Sequence, residues 1–71
     1  MKMHPVKSSN IKAVGYDPAT QKLHVEFHST GTYEFSDVSE SKHRKLMEAP
    51  SIGKHFQQHI RHSHDFRKLD E

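Results

Sequence analysis

The chain has 71 residues, of which 31% are hydrophobic and 28% charged, with no cysteine and a formal net charge of +2. That length gives one small domain whose core is too thin to spare walls for a deep catalytic cleft. The composition excludes disulfide staples, thiolate nucleophiles and cysteine-ligated zinc, and no apolar run approaches the roughly 18 residues of a bilayer span.

In chain order, Met1-Lys2-Met3-His4-Pro5 lacks the apolar stretch of a secretion signal, so a cytoplasmic setting is expected. Ser9–Tyr16 reads as a first strand and stops at Asp17-Pro18-Ala19-Thr20, where proline presets the turn and the aspartate caps it. Lys22–His28 alternates strictly, placing Leu23, Val25 and Phe27 on one face of a second strand. Ser29-Thr30-Gly31 makes a short loop, and Thr32–Ser36 alternates again as a third strand. The expected register sets His28 opposite Thr32, Phe27 opposite Tyr33, and Val25 opposite Phe35. In the first hairpin, Val14 and Tyr16 face Val25 and Leu23. Ile11 is then out of phase, which a bulge or bend near Gly15 reconciles.

Ser39 caps a helix from Glu40 to about Ala49, closed by Pro50. Ser51 caps a second helix, in which Ile52, Phe56 and Ile60 form an apolar stripe. From Ser63 onward the chain is polar apart from Phe66 and Leu69. The expected fold is α+β: a three-stranded antiparallel β-meander followed by two short helices packed on one sheet face, because the apolar face must be covered. A single domain spans 1–71, with its core at about 6–66 and a polar C-terminal tail.

Charge is unevenly placed. Residues 1–41 carry four lysines against five acids, whereas 42–68 carry seven Lys or Arg against Glu48 and Asp65, together with five of the eight histidines. Arg44, Lys45, Lys54, Arg61, Arg67 and Lys68 are the candidate phosphate contacts, on a basic face toward the end of the second helix and on the first. A solvated helical surface carries such charges too, and cations near a helix C-terminus have a structural reason to be there.

Tyr33-Glu34-Phe35 offers two rings at period two. They suit either a stacking platform for splayed bases or a sheet core, and core is favoured because without them too little remains to bury. His55 and His59, with His62 at i+7, could stack on one helical stripe as a metal site. The glutamate that a zincin helix requires after the first histidine is replaced by Phe56, so no metal or other cofactor is expected. No nucleophile elbow and no glycine-rich phosphate loop is present, so no enzymatic activity is expected.

These segments, taken together, resemble a known family. Val6-Lys7-Ser8-Ser9-Asn10-Ile11 followed by Val14-Gly15-Tyr16-Asp17, the central Tyr33-Glu34-Phe35, and Ala49–Arg61 with Ser51-Ile52-Gly53-Lys54-His55-Phe56-Gln57 are similar to the KTSC domain. Phe35 stands where that family's Tyr-x-Tyr signature has its second tyrosine, His55 where it has an aromatic, and Gln57 where it has asparagine. The resemblance implies a domain found at the C-terminus of some lysyl-tRNA synthetases and as small stand-alone bacterial and phage proteins, with RNA binding as the usual proposal. The expected function is accordingly a small RNA-binding module. The alternatives are a protein-interaction adaptor of a bacterial or phage assembly and, more weakly, a histidine-rich metal binder. A monomer or a weak homodimer paired through a sheet edge completes the expectation.

Overall fold

Leu23, Val25 and Phe27 project from one side of a six-residue strand, and the rest of the molecule is arranged to cover that side. The computed structural model describes residues 1–69. Five strands, β1 (Met3–Pro5), β2 (Ile11–Asp17), β3 (Lys22–Phe27), β4 (Gly31–Phe35) and β5 (Phe66–Lys68), form one antiparallel sheet in the order β1-β2-β3-β4-β5. Helices α1 (Glu40–Glu48) and α2 (Ile52–His59) lie in sequence between β4 and β5. The expected three-stranded meander is thus corrected to five strands. Both additions are three residues long, too short for period two to register as a pattern, and β1 ends in proline, a residue tolerated on sheet edges.

The β2–β3 pairing sets Val14 against Val25 and Tyr16 against Leu23, as expected. The bulge falls between Ile11 and Ala13 and not at Gly15, and it brings Ile11 opposite Phe27. Gly15 serves a different purpose: a Cβ there would lie 2.5 Å from the Met3 sulfur, so the missing side chain admits β1. In the next hairpin the register is two residues from the expected one, with Leu23 opposite Phe35, Val25 opposite Tyr33 and Phe27 opposite Gly31. The loop is His28-Ser29-Thr30, and Gly31 opens β4 at a φ of 93° that favours glycine. A slip of two preserves every side chain's face, so apolar patterning could not distinguish the registers; the glycine decides.

Both helices begin where their caps place them. The Ser39 hydroxyl accepts from the Lys42 amide at 3.2 Å, and Ser51 from the Lys54 amide at 3.4 Å. Leu46 of α1, Phe56 of α2 and Ile60 at its C-cap seal Ile11, Val14, Leu23, Val25 and Phe35 beneath them, with Val38 closing the link between sheet and helix. The opposite sheet face carries His24, Glu34 and Arg67, and among the described residues the buried helix side chains pack on the other face. No helix among the described residues is long and apolar enough to cross a membrane.

Candidate nucleic-acid interface

Two helical turns do not cover the whole sheet. Where α2 ends, the tip of the β3–β4 hairpin and the added strand β5 stand clear of it, leaving a groove of about 410 Å³. Its floor and walls are aromatic. Phe56 meets Phe35 and Phe27 edge to face at 5.1 and 5.6 Å between ring centres, and Phe27 meets Tyr33 at 5.6 Å. Phe66 closes the far wall, 5.5 Å from Phe35 and 5.9 Å from Tyr33, with 55% of its surface still exposed. The central motif therefore divides. Phe35 is buried as expected, Tyr33 is half-buried in the groove wall, and Glu34 points to the other face.

The rim is polar and, among the described residues, carries no carboxylate; Asn10, Gln57 and Arg61 stand on it. Arg61 follows the C-cap of α2 and donates from Nη1 to Gln57 Oε1 at 3.3 Å. Beside the groove runs a second depression, bordered by Lys7 and Lys54 and sharing Ser9, Asn10 and Gln57 with it. Lys54, Gln57 and Arg61 thus form a continuous edge along α2, spaced three and four residues apart.

The remaining expected cations divide between two faces. Arg44 and Lys45 are exposed on α1, and the Lys45 charge reaches His55 on α2. Lys68 pairs in register with Tyr33, its Cε beside Gly31 at the hairpin tip. Arg67 is placed differently. It lies on the opposite sheet face, where its Nε donates to Glu34 Oε1 at 2.9 Å, and the other carboxylate oxygen meets His24 Nε2 at the same distance. These two hydrogen bonds hold the Glu34 carboxyl below its ordinary range, that from His24 being the larger influence. Arg44, Lys45, Lys54 and Arg61 make no ion pair among the described residues.

The imidazoles do not line up as a stripe of three. The His55 and His59 rings lie 4.4 Å apart, tilted by 39°, but α2 ends at His59 with Ile60 as its C-cap, so His62 falls in the turn beyond. Burial first, then the neighbouring His59 and Lys45 charges, lower the His55 pKa. No group of three metal-ligating side chains assembles among the described residues. His64 acts as a brace: Nδ1 donates to the Ser36 carbonyl at 3.0 Å while Nε2 accepts from Lys42 Nζ at 3.2 Å, the tautomer these two partners require.

Sequence reading missed the groove as a unit, and with it the parts of Asn10 and Lys7. The available signals were the spacing of Lys54, Gln57 and Arg61 and the single aromatic, Phe66, in a largely polar tail.

Comparison with known proteins agrees with this fold. The model of the KTSC domain matches residues 7–64. An uncharacterized protein of Stutzerimonas stutzeri is 39% identical over 64 residues, covering 90% of each chain. A lysine–tRNA ligase of Nostoc punctiforme is 38% identical over 63 residues, which are 89% of this chain but only 11% of the ligase. The crystal structure of a KTSC domain protein from Yersinia pestis superposes with a TM-score of 0.95 at 36% identity, covering 97% of both chains.

Proposed function

The chain belongs to the KTSC domain family, and from that premise we propose that it is a small, non-enzymatic RNA-binding module working through the α2 edge. The observation that carries this reading is the run of Lys54, Gln57 and Arg61, whose two cations have no carboxylate partner among the described residues. Cations left unneutralised along one edge attract a phosphate backbone without reading its sequence. Arg44 and Lys45 extend the positive field across α1, and Lys68 extends it toward the hairpin tip. Arg67 is not part of the surface, since the sheet separates it from the others and Glu34 neutralises it. The kinship with a lysine–tRNA ligase makes transfer RNA the first ligand to try. In this reading the protein resides in the cytoplasm and needs no cofactor.

Titration of the protein with tRNA at two salt concentrations tests the proposal. With three or four phosphate contacts, affinity falls on the order of 40- to 150-fold between about 50 and 200 mM salt. Lys54→Glu and Arg61→Glu each weaken binding and flatten that salt dependence, whereas Arg67→Ala leaves both unchanged. Salt-independent binding, or equal losses from all three variants, rejects the reading and favours a protein partner.

A further inference from the structure

We propose that the aromatic groove takes one unpaired base of a single-stranded RNA, with Lys54, Lys7 and Arg61 holding the flanking phosphates. The inference deepens the RNA-binding reading and depends on it. Its starting point is Phe66. Nine side chains at 3% exposure or less already close the core, yet this ring sits on the last strand with 55% of its surface in solvent. It rests against Phe35 and Tyr33 and lines the groove with more than half of its surface exposed. A ring face presented to solvent beside a cationic rim is what a splayed base needs, because stacking accepts any base and needs no sequence match.

The polar rim supplies the rest. Arg61 engages the Gln57 carbonyl oxygen, which leaves the Gln57 amide nitrogen to donate to a base edge. Asn10 stands on the same rim with both amide functions. The shared border of Ser9, Asn10 and Gln57 leads directly into the depression of Lys7 and Lys54, so a strand leaving the groove meets cations at once. Among the described residues neither depression is lined by a carboxylate, so none of these side chains repels an anionic chain along this path. Duplex RNA does not fit the same description, since its paired bases are stacked on each other and withhold their faces. A peptide's aromatic side chain would fill the ring slot but would need acidic neighbours to meet the three cations, whereas every nucleotide carries its own phosphate.

The test compares a short single-stranded RNA with the duplex of the same sequence, both at low salt, using the full chain. Wild-type protein should prefer the single strand, and Phe66→Leu, which keeps apolar cover over Phe35 but removes the ring, should cost that ligand about tenfold while leaving duplex affinity unchanged. A 2-aminopurine base in the single strand should change its emission on binding wild type and not on binding Phe66→Leu. If Phe66→Leu changes nothing while Arg61→Glu abolishes binding, the groove takes no base and the phosphate-contact reading stands alone. If neither RNA binds at low salt, both fall, and the groove is left to an aromatic side chain of a protein partner.

Discussion

The Ser8 hydroxyl occupies the space a side chain at position 53 would need: a Cβ on Gly53 would lie 2.9 Å from Ser8 Oγ. That oxygen is not free to move. It accepts from the Asn10 and Ile11 amides at 3.3 and 3.2 Å, shaping the turn that starts β2. The first turn of α2 and the entry to the sheet are therefore fitted to one another through a single atom.

Gly53→Ala should consequently destabilise the protein by about 1 kcal/mol, because disturbing two hydrogen bonds outweighs the helix propensity gained. For a chain of this size that is a loss of roughly 4–8 °C in Tm. In a Ser8→Ala background the obstruction is gone, and the same substitution should become neutral or stabilising. Thermal denaturation of the four proteins in the cycle checks the sign change; additive effects would disprove the fit.

Tyr16 ties the sheet to the helical layer. Its hydroxyl donates to the Val38 carbonyl at 2.6 Å, while its ring stacks on His43 at 4.4 Å and 9°. Tyr16→Phe keeps the stack and should cost about 1 kcal/mol in denaturant unfolding, the worth of one hydrogen bond. Burial, with the Glu40 and Asp17 charges adding to it, raises the Tyr16 pKa. The difference in ultraviolet titration between wild type and Tyr16→Phe should therefore show a phenol ionising above the ordinary tyrosine range. A difference curve at the ordinary tyrosine value would show that the phenol is freely solvated.

Acid should weaken the fold in two stages. Burial lowers the pKa of His43 and of His55, so the unfolded chain binds more protons than the folded one below the ordinary histidine value near 6.5. Stability then declines as pH falls from there toward the folded values. Glu34 adds a second stage. Its folded pKa lies below the ordinary 4.5, so its contribution is complete above that value and is lost as pH drops through the lowered one. Urea midpoints measured across pH should show both limbs, with His43→Gln reducing the upper limb and Glu34→Gln the lower. An unchanged lower limb in Glu34→Gln would remove the His24–Glu34–Arg67 cluster from the account.

The parts of the fold legible in the sequence were those written redundantly. Strict alternation over Lys22–His28 marked β3, and Ser39, Pro50 and Ser51 marked helix boundaries that the structure reproduces within a residue. What escaped was carried by single residues or by absences. Gly31 chose between two hairpin registers with identical faces. The strands β1 and β5 hold three residues each and join the sheet because its edges were available, not because their own pattern demanded it. At the interface, Lys54 and Arg61 were recognisable as cations, but which side of the sheet Arg67 would take depended on the unforeseen strand that carries it. The groove was invisible for a related reason: it exists where α2 stops short of the hairpin tip and Phe66 returns to wall it.

The most direct test of RNA binding along the α2 edge is a backbone-amide and side-chain NMR titration with a short single-stranded RNA at low salt. Shift changes should concentrate at Asn10, Tyr33, Lys54, Gln57 and Arg61, with His24, Glu34 and Arg67 on the far sheet face remaining still. Changes centred on the His24–Glu34–Arg67 face, or none anywhere as RNA is raised to excess, would contradict it.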